Sequence, residues 1–292
     1  MPGKITMEDL AREAGCSRPQ VSRAFNGKPN VAPEVRERVL AAAKRLNYRN
    51  TANRRQIRIA VITQSVGSIY GSVILDALMK QACERNWVCH IVHEQFIHTI
   101  SDYFYDGAIS LIFNDSWARK WAEERTTPLV MVNSYGTALD KVCSVDPDSY
   151  DGSCLVLRHL KRLGHRKIAR VHIVGPGEVT YHRGQNEFLR AAAELNLGDS
   201  VRNFQFVEQS TLKSGLLSVL EQGFTAVYMI HQSLAVPAAK VILDAGYRIP
   251  EDVSLVTYEL NGISAHLMPP HTTLDFDYSA LARRALEELR LR

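Results

Sequence analysis

The sequence predicts an N-terminal all-α helix-turn-helix headpiece followed by a larger, bilobal α/β domain with two parallel sheets. Three observations lead there. Two short amphipathic helical patterns flank Gly15 within residues 6–26, and strand-like and helical runs alternate from Ile57 onward in two successive series. The charge is also divided. Residues 1–58 hold thirteen Lys/Arg against five Asp/Glu, a net of +8, and the other 234 residues hold 22 against 26, a net of −4. A chain of 292 residues is long for one domain and fits a small module plus a two-lobed one.

In the first helical pattern Thr6 is placed to cap, with Asp9 three residues on, where a side-chain oxygen meets a free backbone N–H. Leu10, Ala11 and Ala14 form a narrow apolar stripe. Gly15 supplies the left-handed conformation that ends a helix. Ser17 then caps a second helix, Gln20 completes its box, and Pro19 falls in the first turn, where its missing N–H is not needed. Val21, Ala24 and Phe25 turn inward, leaving Arg18, Gln20, Ser22 and Arg23 on the outer face. This is the pattern of a helix-turn-helix whose second helix carries base-reading and phosphate-reading side chains. The alternative is a surface hairpin whose arginines only confer solubility. Two capping boxes around a turn of the right length, together with the local basic charge, favour a polyanion partner.

A third helix opens at Pro33, with Glu34 at its positive end and Val35, Val39, Ala42, Ala43 and Leu46 along one face. Arg36, Arg38, Lys44 and Arg45 lie elsewhere on it, at least half of them as solvated charge. Beyond Tyr48, strands are expected at 57–63, 88–93, 108–113 and 129–132, with helices at 71–85 and 117–124 between them. A second series follows: helix 152–163, strand 168–174, helix 183–195, strand 203–207, helix 212–222, strand 226–230, helix 235–245, strand 254–257 and a last helix at 278–291. Such alternation means βαβ units and parallel sheets, and two series mean two lobes with a ligand crevice at the strand C-termini. The segment 93–105 is too short for a full helix plus two loops and is expected to hold a degraded crossover helix.

No run of eighteen apolar residues exists and the N-terminus lacks an apolar leader, so neither membrane insertion nor secretion is expected. The five cysteines (16, 83, 89, 143 and 154) form no CxxC pair, which suits thiols in a reducing cytoplasm.

The run TMEDLAREAGCSRPQVSRAFNGKPNVAPEVRERVLAAAKRLNY closely resembles the headpiece of lac-repressor/gal-repressor type transcription regulators. The resemblance implies a double-stranded, near-palindromic DNA operator as partner, with the second helix in the major groove. It places Arg18, Pro19 and Arg23 at base-contacting positions, and Ser17, Gln20, Ser22 and Asn26 at positions that mainly touch phosphates. Arg bidentate to guanine is the commonest specific contact, which singles out Arg18 and Arg23. Relatives continue with Pro-Asn and a hinge helix whose leucine wedges into the minor groove. Here the chain reads Arg49-Asn-Thr-Ala-Asn-Arg-Arg-Gln56, several residues short and without the leucine. The linker is therefore expected to act as a basic tether, with Arg54 and Arg55 on phosphates and little DNA bending.

The larger domain resembles the same family's effector domain, related to periplasmic sugar-binding proteins, through DGAI (106–109), DSYDG (148–152), LGHRKI (163–168), IPEDVS (249–254) and PHTT (270–273). The expected boundaries are 1–49 for the headpiece, 50–56 for the linker and 57–292 for an effector-binding, dimerising domain. Its N-lobe would span 57–146 plus 276–292 and its C-lobe 147–275. Relatives run on past the last helix, so the C-lobe is expected to lack its final strands. The resemblance implies a small-molecule, carbohydrate-like effector held by Tyr70, Asp148, Arg183, Gln232 and Glu259. The family commonly has Asn-Asp where His231 and Gln232 stand, and Asp-Asp at Glu259 and Leu260, so the effector is expected to differ from an ordinary hexose.

Other chemistry is set aside. His90 and His93 fall on opposite faces of a strand and, with His98, read as ordinary surface or core histidines. Val174-Gly-Pro-Gly177 lacks the further glycine and Lys-Ser/Thr of a phosphate loop. Trp117 and Trp121, four apart, suit a core or interface. No nucleophile–base signature and no cofactor motif occurs, so an enzyme is not expected. The competing reading is a solute-binding module whose headpiece has lost DNA affinity, or a regulator with a non-functional pocket. The expected sum is a dimeric, cytoplasmic, DNA-binding repressor controlled by a small molecule.

Overall fold

A computed structural model describes residues 5–25, 31–46, 48, 56–100, 102, 104–112, 115–134, 139, 142–173, 181–206, 211–259 and 261–290. The first unit contains α1 (Met7–Ala14), α2 (Arg18–Phe25) and α3 (Pro33–Arg45). Thr6 and Asp9 close a reciprocal box: the Thr6 N–H donates to the Asp9 carboxylate at 2.9 Å and the Asp9 N–H to Thr6 Oγ1 at 3.3 Å. Gly15 ends α1 at φ 61°, a backbone conformation that a β-carbon resists. Ser17 N–H donates to Gln20 Oε1 at 2.8 Å, so the second box also forms. Leu10, Val21, Val39, Ala42 and Ala43 are fully buried between the three helices. The Tyr48 ring closes this core 5.9 Å from that of Phe25.

The first lobe is a five-stranded, wholly parallel sheet in the order β2-β1-β3-β4-β5. The strands are β1 (Arg58–Thr63), β2 (Val88–His93), β3 (Gly107–Ser110), β4 (Leu129–Val132) and β5 (Val142–Val145). Alternation along β1 sends Ile59 and Val61 to one face and Ala60 and Ile62 to the other, and both faces are buried. One face is covered by α4 (Ile69–Glu84) and the other by α5 (Asp115–Glu124). Trp121 lies in the second of these cores, its indole N–H donating to the Thr127 carbonyl at 2.9 Å. Among the described residues between β2 and β3 there is only a 3-10 stretch, Glu94–Thr99. Arg125 ties it down by donating to the carbonyls of Ile97 and Ile100.

The second lobe repeats the plan in the order β10-β9-β8-β6-β7, again all parallel. Its strands are β6 (Ile168–Ile173), β7 (Val201–Phe206), β8 (Ala226–Met229), β9 (Ser254–Tyr258) and β10 (Thr272–Leu274). The helices α6 (Ser149–Arg162) and α7 (Tyr181–Glu194) cover one face. On the other lie α8 (Leu212–Glu221) and α9 (Ala235–Asp244). The last helix, α10 (Tyr278–Arg290), crosses back and packs Leu281, Ala285, Leu286 and Leu289 on α4 and the first sheet. A β-carbon at Gly107 would lie 2.7 Å from the Leu289 side chain, so this glycine allows α10 to dock against β3.

Two strands, β5 and β10, were not expected from the sequence, and β3 ends at Ser110 rather than running to 113. Both of the extra strands are sheet edges of three or four residues, too short for their alternation to stand out.

Candidate nucleic-acid interface and interlobe cleft

On α2 the buried residues are Val21, Ala24 and Phe25, and the helix is thereby fixed with its opposite side outward. Ser17, Arg18, Pro19, Gln20 and Arg23 are exposed and Ser22 is half-buried. Arg18 Nη1 meets Glu8 Oε1 at 2.9 Å, but the side chains remain 62% and 58% exposed, so the pair is weak and easily exchanged for another acceptor. Arg23 has no ion-pair partner among the described residues. The face thus presents two arginines, two hydroxyls and an amide on a rigid helix. Asn26, Arg54 and Arg55 lie outside the described residues, as does the linker up to residue 55.

The lobes are joined where the chain leaves β5 through Asp146–Asp148 and where it returns between β10 and α10. Beside these crossings lies a cleft of about 240 Å³. Tyr70 and Asn133 line it from the first lobe, His231, Gln232 and Tyr258 from the second, and Phe276 and Tyr278 from the return segment. Its walls are chiefly aromatic. Tyr70 and Tyr278 stand 6.1 Å apart, Tyr278 and Phe276 6.1 Å, and Phe276 and Tyr258 4.9 Å. Burial pushes the Tyr70 phenol well above its ordinary pKa, and raises that of Tyr278 to about 12. Both are therefore neutral hydroxyls at physiological pH, able to donate as well as accept. Among the described residues lining the cleft there is no Asp, Glu, Lys or Arg.

Of the five residues predicted for the effector, Tyr70 and Gln232 meet in this cleft. Gln232 Nε2 donates to the Glu259 carbonyl at 2.7 Å and contacts the Tyr278 hydroxyl at 3.1 Å, bridging the second lobe to the start of α10. The Glu259 carboxylate instead accepts from the Gly262 N–H at 2.9 Å and Thr273 Oγ1 at 2.9 Å, which organises the loop after β9. Asp148 caps α6, accepting from the Asp151 N–H at 2.9 Å, and borders a neighbouring cavity with Glu187 and Arg190. Arg183 belongs to α7, but its side chain lies outside the described residues. Asn133, Tyr258, Phe276 and Tyr278 were not predicted. Asn133 carried a signal: it follows directly on β4 and adopts φ 58°, a conformation for which Asn is suited.

Elsewhere the sequence markers have local roles. Gly164 follows α6 at φ 90°. His165 bridges Thr225 Oγ1 and Ser254 Oγ, each at 2.9 Å, and burial lowers its pKa. His90 stacks on Phe104, and the His93 ring accepts from the Gln95 N–H. All five cysteines are free thiols. No helix among the described residues is long and apolar enough to cross a membrane.

Two family profiles match the chain. Residues 6–50 match bacterial regulatory proteins of the lacI family, and residues 157–292 match a periplasmic binding protein-like domain. The chain is 26% identical to the transcriptional repressor PurR of Mannheimia succiniciproducens over 306 aligned positions, covering 97% of this chain and 90% of that protein. It is 27% identical to the ribose operon repressor of Haemophilus influenzae, with the same coverage. Among solved structures, the lac repressor dimer bound to operator and the anti-inducer ONPF superposes with a TM-score of 0.69 at 22% identity, covering 99% of this chain and 92% of that one. The regulator CelR in complex with cellobiose gives 0.68 at 23% identity, covering 98% and 92%. Residues 6–50 thus carry a headpiece of the lacI type, and residues 157–292 a periplasmic binding protein-like domain.

Proposed function

We propose that this protein is a sequence-specific DNA-binding repressor, acting by binding rather than catalysis, in the cytoplasm and as a homodimer. Its headpiece reads a near-palindromic operator and its interlobe cleft holds a small effector. The observation that carries the reading is the outer face of α2, where Arg18 and Arg23 stand exposed on a helix whose inner face is locked in the headpiece core. In this reading Arg18, Pro19 and Arg23 touch bases, and Ser17, Gln20 and Ser22 orient the helix on phosphates. Two headpieces are needed because one reads only a few base pairs, and the two-lobed domain has the surface to pair them. Support for the repressor and its effector comes from relatives named as repressors and from the cellobiose complex of CelR.

The aromatic rings and the amide and hydroxyl groups among the described lining residues suit a ligand with an apolar or planar face and a few hydroxyl or amide groups. Tyr70 and Gln232 are the groups proposed to fix its orientation, and Gln232 is placed to report occupancy to α10 through Tyr278. Asp148 and Glu259 act in this reading through the α6 cap and the loop after β9. Arg54 and Arg55 are proposed to tether the headpieces by phosphate contacts.

The reading is tested by the salt dependence of DNA affinity. Each phosphate neutralised should contribute a slope of roughly −0.9 in log K against log salt, so a dimer with six or more such contacts should weaken by about 10³ or more between 50 and 200 mM. A nearly flat response would remove the headpiece from the interface.

A further inference from the structure

Glu8 lies in the first turn of α1 and Arg18 opens α2, so the contact between them crosses from one helix to the other. Arg18 Nη1 donates to Glu8 Oε1 at 2.9 Å. The neighbouring acid, Asp9, is occupied by the Thr6 cap, and Glu13 pairs with Arg45 of α3 at 3.0 Å. Burial raises the pKa of the Tyr48 phenol, and the charges of Arg18 and Glu8 act on it in opposite senses. The pair therefore sits beside that ring, at the edge of the headpiece core. An acid in the first turn of a helix favours its positive end wherever the side chain points. That accounts for an acid in this turn but not for its reaching Arg18.

Stability does not account for the contact either. An exposed pair contributes little, and α1 and α2 are already held by the fully buried Leu10 and Val21. The effect of the pair is on direction. A guanidinium on a long side chain has many rotamers open to it, and one donor fixed to the next helix removes most of them. Glu8 takes Nη1, and the Nε–Nη2 edge remains a two-donor fork of the kind that matches guanine O6 and N7. Arg18 makes no other hydrogen bond among the described residues. A carboxylate here also repels a phosphate oxygen but not the uncharged guanine edge, so it disfavours the wrong partner.

We propose that Glu8 is a positioning residue for DNA reading: it holds the Arg18 guanidinium with its free edge toward a guanine, and so sets the base preference that Arg18 confers. Glu8 itself touches no base in this arrangement. The inference rests on α2 being the DNA-facing helix, and it deepens that reading by assigning part of the specificity to α1.

The test uses the full chain as wild type, Arg18→Ala, Glu8→Ala, Glu8→Gln and the double variant with Ala at both positions. Each selects bound duplexes from a random pool, and affinities are then measured on the wild-type site and its single-base changes. Arg18→Ala identifies the base pair that Arg18 reads. Glu8→Ala should lower the preference at that base pair about three- to tenfold and leave the one read by Arg23 unchanged. It should bind other DNA at least as tightly as wild type, because a negative charge near the phosphates is gone. Glu8→Gln, which loses the charge but keeps an acceptor, should retain more of the preference than Glu8→Ala. The double variant should show the preference of Arg18→Ala alone, because Glu8 acts only through Arg18. A preference unchanged in Glu8→Ala would overturn the proposal and leave Glu8 a solvated charge. So would a further loss at another base pair in the double variant, which would make Glu8 a DNA contact. Lost headpiece helicity in both Glu8→Ala and Glu8→Gln would overturn it too, by making the pair structural. A wild type that selects no sequence fails the regulator reading and this inference together. A selected site that Glu8→Ala leaves as it is fails this inference alone.

Discussion

Replacing Leu10 by alanine is expected to abolish operator binding while the two-lobed domain keeps its thermal transition. Leu10 is fully buried where α1 meets α2 and α3. Truncating such a side chain costs ~2–5 kcal/mol in lost burial and cavity formation. A three-helix unit of this size has little stability to spare. The loss should therefore unfold the headpiece, and α2 with it. The large domain has separate cores around Ile59 and Leu157 and should be indifferent. Fluorescence anisotropy on operator DNA and calorimetry of the same sample check both halves. Unchanged DNA affinity would mean that α2 need not be held by this core to bind.

Arg23→Ala should keep the fold and lose ~1–3 kcal/mol, roughly ten- to a hundredfold, on the preferred site. The residue is exposed and carries no ion pair among the described residues, so its removal leaves no buried partner unsatisfied. The loss should be confined to one base position, with other sequences at that position approaching the preferred one. An equal loss on every sequence would reassign Arg23 to the DNA backbone.

The headpiece was legible because its signals are local. Thr6 with Asp9, Ser17 with Gln20, and Gly15 between them specify caps and turn without help from distant residues, and each makes its expected contact. The alternation of the large domain was equally legible wherever strands are buried on both faces, as in β4 and β8. It failed at the edges, where β5 and β10 are short and only partly buried.

The cleft was read only in part. The family resemblance pointed to Gln232, Glu259 and Asp148 alike; Gln232 lines the cleft, and the carboxylates of Glu259 and Asp148 accept from backbone N–H groups nearby. The aromatic residues Tyr258, Phe276 and Tyr278 are brought together by the chain crossing between lobes, a long-range event with no periodic signature.

The central claim is that α2, presented twice by a dimer, reads a specific duplex. Selection of bound duplexes from a random pool by the full chain, at moderate salt, tests it most directly. Enrichment should converge on two inverted half-sites whose centres lie about one helical turn apart, each with a guanine whose selection disappears in Arg23→Ala. A pool that stays random after repeated rounds, or an enriched site unchanged by Arg23→Ala and Arg18→Ala together, would contradict it.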